Sequence, residues 1–172
     1  MGGVGNILWL GSLADHDWDV NFSDCPSDEP QKRFEGLHNQ FVASAKAVLA
    51  AHEIDPANKV GNMIAGSAVY PYSCNPDAVV GAAETMRASN FYCGDVQVRG
   101  AYPAWAPSVW KREGVDIAPL AERDAEILKA GTVDFYSFSY YMSSTYEAEK
   151  AATGGGLIVG GDRIPYLTTC DG

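Results

Sequence analysis

The clearest pattern of hydrophobic positions predicts one long helix. From Phe34 to Leu49, apolar residues recur at intervals of three and four, which is the spacing of a single face of an α-helix. The pattern stops before Asp55-Pro56, and a proline disfavours helical geometry at the residue before it. We therefore predict an amphipathic helix that begins near Lys32 and ends before this pair.

Two stretches have the composition of β-strands. The first is Lys59–Ala65, and the segment GSAVYPYSCNPDA is predicted to leave its C-terminal end as a long loop. The second is TVDFYSFSYYMSS at residues 132–144, which is dense in aromatic and β-branched residues and is interpreted as a buried strand. An ordinary core strand is one reading. The other is that its C-terminal serines and tyrosines face a site, as in barrels of alternating strands and helices.

Two further helices are predicted between the strands. One covers 77–89, with Asn75 as its N-cap and Pro76 in its first turn, and the other covers 118–130 and is closed by Gly131. Between them, DVQVRG at 95–100 alternates apolar and polar residues, a pattern that is compatible with a third strand. The order of elements predicts an α/β chain with parallel strands, but two or three strands are too few to close a barrel.

Composition and charge narrow the possible functions. With 12 Lys and Arg against 22 Asp and Glu, the net charge is −10, which argues against binding to nucleic acid and still allows a local basic pocket for a small anion. The cysteines form no CxxC pair and are predicted to be free thiols in the cytoplasm, and neither a metal nor another cofactor is expected. No signal peptide or membrane span is predicted. The four cysteines are Cys25, Cys74, Cys93 and Cys170.

Five ring side chains admit two interpretations each. His38 and His52 lie fourteen residues apart, which is nearly the same face of the predicted helix, so either could line a site or pack within the fold. Tyr102, Trp105 and Trp110 could stack on a sugar or pack against the outside of the sheet.

Four consecutive blocks of the sequence follow a known order. They are LHNQFVASAKAVLAAHEI, KVGNMIAGSAVYPYSCNPDAVVGAAETMR, DVQVRGAYPAWAPSVWKREGVDI and VDFYSFSYYMSS. Together they resemble the middle of the family 1 glycoside hydrolases, above all the bacterial 6-phospho-β-glucosidases. The resemblance implies a partial (β/α)8 TIM barrel, in which 34–54 is the fourth helix, 59–65 the fifth strand and 133–142 the sixth strand.

The resemblance also implies a division of the chain. Residues 1–33 match poorly, residues 34–145 form the partial barrel core, and residues 146–172 are similar to the glycine-rich loop that precedes the seventh strand. By the same resemblance, the chain is expected to be a central fragment of a retaining enzyme that hydrolyses phosphorylated β-glucosides.

The chemistry of the family requires two glutamates. The acid/base belongs to an Asn-Glu pair after the fourth strand and the nucleophile to a Glu-Asn-Gly motif after the seventh, with the carboxyls about 5–5.5 Å apart. Neither motif occurs in the 172 residues. The Ser, Lys and Tyr group that binds the phosphate in the family is expected farther downstream. No catalytic residue is therefore assigned, and the chain alone is expected to be inactive.

Three substrate-binding positions carry over by resemblance. Tyr141 matches the tyrosine whose hydroxyl bonds the nucleophile. Ser139 stands where many members have asparagine. Tyr70 lies on the active-site side, in the loop after the fifth strand, although Ala68 replaces the proline that is usual in that loop.

Two other functions remain open. In the first, the chain is a non-catalytic assembly or binding module that pairs with itself or with another barrel fragment through exposed strand edges. In the second, a substitute carboxylate pair drawn from Glu84, Asp95 and Asp134 carries out hydrolysis.

Overall fold

Helix α1, Pro30–Ile54, is the longest element of the computed structural model, which describes residues 30–147. Its apolar face is buried, with Leu37 and Val48 each 1% exposed. The helix stops one residue before Asp55, because Pro56 disfavours a further helical residue in front of it. The prediction from hydrophobic spacing is confirmed, with a start two residues earlier than Lys32.

Two strands, β1 (Gly61–Pro71) and β2 (Phe135–Tyr146), pair in parallel. This arrangement confirms the predicted α/β class with parallel strands. The register runs from Gly61 opposite Phe135 to Gly66 opposite Tyr140, and then from Ala68 opposite Ser143 to the strand ends. Between these two runs β2 advances by three residues while β1 advances by two, which is the signature of a β-bulge.

The predicted end of the first strand is wrong. β1 continues six residues past Ala65 to Pro71, so most of the expected loop is strand. Its backbone keeps hydrogen-bonding to β2 beyond the bulge, and Tyr72 N still donates to Tyr146 O at 3.0 Å. Pro71 is tolerated because it is the last residue of the strand, where a missing donor costs little.

A layer of short helices connects the strands. As predicted, Asn75 caps the first of them, because its side chain accepts a hydrogen bond from Asp77 N at 3.0 Å. The elements are α2 (Pro76–Met86), a single π-helical turn (Arg87–Phe91), α3 (Tyr92–Arg99), α4 (Ala106–Glu113), α5 (Ala118–Arg123) and α6 (Ala125–Ala130).

The alternating segment DVQVRG is helical, so the predicted third strand is wrong. Val96 is buried while Val98 is 44% exposed. Within a helix, Cys93, Val96 and Gln97 share one face, since they are spaced by three and four residues. The π-helical turn joins this segment to α2, and Gly100, with φ +70°, closes it in a left-handed conformation.

The helix predicted over 118–130 is divided in two. Asp124, with φ −105° and ψ 12°, leaves helical geometry between α5 and α6. Gly131 ends α6 with φ −102° rather than in the left-handed region. Its requirement is space, because a Cβ there would lie 2.4 Å from the carbonyl oxygen of Ala45 on α1.

The core lies between α1 and the connecting helices. Trp110 is part of it, and its Nε1 donates to Tyr92 OH at 2.7 Å. Tyr102 and Trp105 pack against the same core, so all three ambiguous aromatics contact the core, which favours packing. Its buried members are Phe34, Leu37, Phe41, Ala45, Tyr92, Cys93, Val96, Ala106, Trp110, Val115, Ile117 and Leu128.

The sheet is covered unevenly by the described elements. Ile64 on β1 is 1% exposed, whereas Phe135, Phe138 and Tyr140 on β2 are 52%, 59% and 55% exposed. The expectation that the second strand is buried is therefore wrong for these residues. A parallel strand is normally buried by neighbours on both faces, and within residues 30–147 β2 pairs with β1 alone.

Candidate active-site face of the two strands

One face of the sheet points away from the helices. In a parallel pair, opposed residues share a face and successive residues alternate. Asn62 and Ile64 are buried, while Met63 between them is 47% exposed. The open face therefore includes Met63 and, through the register, Ser137 and Ser139. We call Met63, Ser137 and Ser139 the candidate active-site face.

Hydrogen bonds hold the two serines on this face. Ser137 Oγ donates to the carbonyl oxygen of Asn62 at 2.6 Å. Ser139 Oγ donates to Met63 Sδ at 3.3 Å, which is a weak bond because a thioether sulfur is a poor acceptor. Ser139 therefore keeps its hydroxyl close to the open face.

Tyr70 does not lie close to Ser139. The structure places Tyr70 within β1, opposite Thr145, rather than in a loop, and it is half exposed. Ser139 lies opposite Ala65, five residues earlier along β1, which corresponds to about 16 Å at 3.3 Å per residue. The separation arises because β1 stays paired with β2 instead of turning toward the site.

Tyr141 belongs to β2 by its backbone, and its side chain lies outside the part of the structure that is described. Its role beside a nucleophile therefore stays a prediction. Its neighbour Tyr140 is hydrogen-bonded through its hydroxyl to Ser143 Oγ.

His38 is packed among the helices. Its ring is fully buried, with Nε2 2.9 Å from Asp124 Oδ2 and Nδ1 3.0 Å from Tyr102 OH. Hydrogen bonds from Arg123 and then from His38 lower the pKa of Asp124 to about 2. The carboxylate is therefore ionised at neutral pH, and it accepts a hydrogen bond from the Nε2–H of His38. Of the two interpretations of His38, the structure supports packing.

His52 belongs to an ion-pair group at the amino ends of the strands. Its Nε2 lies 2.9 Å from Asp134 Oδ2, and the same carboxylate accepts from Val60 N at 2.8 Å. The Val60 backbone hydrogen bond is the main cause that lowers the pKa of Asp134. This edge is opposite to the carboxyl ends of the strands, where barrel sites are built.

The three candidate carboxylates for a substitute pair are on separate elements. Asp95 on α3 pairs with Arg99 at 2.8 Å, Asp134 precedes β2, and Glu84 is exposed on α2. No hydrogen bond joins any two of them within residues 30–147, and none belongs to the candidate active-site face. The geometry gives no support to a hydrolytic pair built from these groups.

A buried amide relay behind the sheet was not predicted. Asn62 Nδ2 donates to Gln97 Oε1 at 2.7 Å, and Gln97 Nε2 donates to Ser44 Oγ at 3.0 Å. The relay ties β1 to α3 and α1, so it supports the strand that carries Met63. No local signal could have found it, since its three members are 18 and 35 residues apart in sequence.

Comparison with known proteins settles the family. The model of the family described as Glycosyl hydrolase family 1 matches residues 18–155. The chain belongs to glycosyl hydrolase family 1. The family assignment agrees with the resemblance of the four sequence blocks, and the division at residues 33 and 145 stays a prediction.

Two curated relatives illustrate the similarity. The chain is 45% identical over 146 residues to the 6-phospho-beta-glucosidase AscB of Escherichia coli K12, covering 84% of the chain and 30% of that protein. It is 42% identical over 140 residues to the aryl-phospho-beta-D-glucosidase BglH of Bacillus subtilis 168, covering 80% and 29%. The chain thus spans about three tenths of the length of the curated relatives that it matches.

Comparison with solved structures confirms the partial barrel fold. A beta-glucosidase from Exiguobacterium marinum superposes with a TM-score of 0.66 at 17% identity, covering 95% of this chain and 36% of that chain. A family 1 glycoside hydrolase from Thermotoga maritima gives 0.64 at 17% identity, covering 84% and 31%.

Neither metal clusters nor membrane helices are found within residues 30–147. No three side chains of His, Cys, Asp or Glu group there as metal ligands would, and no helix in this range has the length and apolar character of a membrane span. Of the four cysteines, Cys74 is exposed and Cys93 is buried, and both are free thiols. Cys25 and Cys170 lie outside the described residues.

Proposed function

We propose that this family 1 chain supplies part of the barrel of a 6-phospho-β-glucosidase, which hydrolyses phosphorylated β-glucosides with retention. The observation that carries the proposal is the 45% identity to a 6-phospho-beta-glucosidase over 84% of the chain. The parallel pair with one open face supports it, because a barrel strand turns one face toward the barrel interior.

In this proposal the chain contributes binding groups rather than the reacting carboxyls. Tyr141 would hold the nucleophilic glutamate, Ser139 would hydrogen-bond to the sugar or to that glutamate, and Tyr70 would border the entrance. The two catalytic glutamates must come from other parts of the barrel, since the sequence contains neither Asn-Glu nor Glu-Asn-Gly. The chain by itself then lacks the acid and the nucleophile that retention requires.

The first test is an assay of the purified chain with an aryl 6-phospho-β-glucoside. We expect no turnover above that of a matched Tyr141→Phe chain. Turnover well above this control would show that the chain carries its own catalytic groups.

The second test grafts the chain into a full-length relative. Its matching segment would replace the corresponding 146 residues of the Escherichia coli relative. We expect the chimera to hydrolyse the phosphorylated substrate, and Tyr141→Phe in the chimera to reduce kcat by at least about tenfold, because it removes a hydrogen bond to a charged group. A stable chimera whose kcat is unchanged by Tyr141→Phe would contradict the role given to this tyrosine.

An assembly function is the second candidate, and one observation favours it. Phe138 and Tyr140 are more than half exposed on a strand that pairs, within residues 30–147, on one side alone. Apolar groups next to a free strand edge favour association with a second copy or with another barrel segment. Sedimentation at micromolar concentration tests this, since a self-associating chain should dissociate in a Phe138→Lys variant, whereas a wild-type monomer would exclude it.

A cytoplasmic location completes the proposal. It is supported by the free thiols of Cys74 and Cys93, since disulfides are common in secreted proteins and rare in the cytoplasm. Cell fractionation of the native host tests it, and recovery with periplasmic or secreted markers would contradict it.

A further inference from the structure

A surface cavity lies in the helical layer, away from the candidate active-site face. It has a volume of about 80 Å³ and opens between α2, the π-helical turn and α4. No residue of β1 or β2 lines it. The lining residues are Glu84, Arg87, Ala88, Trp105, Ser108, Val109 and Arg112.

The cavity combines cationic, hydroxyl and aromatic groups. The backbone of Arg87 is hydrogen-bonded within its helix, but its side chain forms no hydrogen bond or ion pair with another residue of 30–147, although a guanidinium can donate five hydrogen bonds. Arg112 contacts Glu113 at 3.3 Å and remains 56% exposed. Both arginines line the cavity, and guanidinium groups match the geometry of phosphate oxygens.

The wall that carries Arg87 is held in place. Arg87 begins the π-helical turn, and such turns are rare and occur often at functional sites. Met86 Sδ accepts hydrogen bonds from Val69 N at 3.2 Å and from Asn90 Nδ2 at 3.1 Å. These bonds anchor the turn to β1, so Arg87 projects from a fixed backbone.

The opposite wall is also rigid. Trp105 is partly buried, and its ring centre lies 5.8 Å from that of Tyr92 in the core. An indole of this kind gives a flat apolar surface for a sugar ring. Ser108 and Glu84 line the same cavity and can hydrogen-bond to sugar hydroxyls, since a hydroxyl donates and accepts and a carboxylate accepts.

We propose that this cavity binds a phosphorylated monosaccharide, with the phosphate on Arg87 and Arg112 and the sugar ring against Trp105. The net charge of −10 means that the protein as a whole repels anions, so binding here depends on these local groups. The site is separate from the candidate active-site face and goes beyond the proposed function.

The test is isothermal titration of the full chain with glucose 6-phosphate, with glucose and inorganic phosphate as separate probes. We expect saturable binding of glucose 6-phosphate and weaker binding of each half. Arg87→Gln should weaken binding on the order of tenfold, the loss of a hydrogen bond between charged groups. Arg99→Gln is the matched control, since Arg99 is exposed, pairs with Asp95 and does not line the cavity.

Each other outcome overturns a stated part of the proposal. If inorganic phosphate binds as tightly as glucose 6-phosphate, the sugar ring contributes nothing to binding. If glucose binds as tightly as glucose 6-phosphate, the arginines contribute nothing. If Arg99→Gln weakens binding as much as Arg87→Gln does, the effect comes from the net charge of the protein and not from this cavity. If Tyr141→Phe weakens binding and Arg87→Gln does not, the ligand binds at the candidate active-site face instead. Absence of saturable binding rejects the proposed site. Because Arg87 is exposed, thermal melting should show that its variant folds normally.

Discussion

Gln97→Met tests whether the buried amide relay holds the strands against the helices. Gln97 is 7% exposed, and its side chain bridges Asn62 and Ser44 at 2.7 and 3.0 Å. Methionine has a similar length, but it cannot donate to Ser44, and it offers Asn62 only a thioether sulfur, which is a weak acceptor. The backbone bond from Val133 N to Gln97 O, at 3.0 Å, is retained, so the change isolates the side-chain amide.

The expected loss follows from the two groups left without a partner. A buried polar group that loses its partner costs about 1–3 kcal/mol. Asn62 and Ser44 are both 6% exposed, which gives a loss of roughly 2–4 kcal/mol, with Ser44 at the low end because its hydroxyl can turn to a nearby carbonyl. Since small domains are stable by about 5–15 kcal/mol, this is a large fraction of the total.

The measurement is urea unfolding followed by circular dichroism. We expect a lower midpoint with an unchanged slope, because a shape-conserving substitution leaves the surface exposed on unfolding the same. The double variant Asn62→Leu/Gln97→Met should be more stable than Gln97→Met alone, since it removes the unpaired amide. A loss below about 0.5 kcal/mol for Gln97→Met, which is typical of a surface change, would refute the reasoning, and so would a double variant that shows the sum of both single losses.

Two further predictions concern the helical layer. Gly131→Ala should destabilise the protein by about 1–3 kcal/mol, because the new Cβ would lie 2.4 Å from the carbonyl oxygen of Ala45; an unchanged melting temperature would contradict this close packing. Asp124→Asn should lower stability at pH 6, and the difference should shrink as the pH falls from about 4, the unfolded value, toward the folded pKa of about 2. The sign follows because a lowered carboxyl pKa stabilises the folded state only while the group is ionised, and a difference independent of pH between 2 and 6 would argue against this origin.

The candidate active-site face could be predicted in part from the sequence, whereas the cavity could not. Ser139 was found because a resemblance of contiguous blocks assigns it to a strand. Tyr70 was assigned to a loop on the same grounds, yet its backbone pairs with Thr145, a partner 75 residues away that no local pattern reveals. Arg87 and Arg112 carry no motif at all, and they line one cavity only because the folded chain places the π-helical turn and α4 at its border.

The sequence by itself determined the elements whose signals are local. Hydrophobic spacing determined α1, the Asn75-Pro76 pair determined where α2 begins, and composition located both strands and implied that they are parallel. Tertiary structure alone decided where β1 ends, that DVQVRG is helical, and that the helix predicted over 118–130 is interrupted at Asp124. The physical reason is that strand ends depend on a hydrogen-bonding partner, and a short amphipathic segment on the surface that it packs against, and both are supplied by residues distant in sequence.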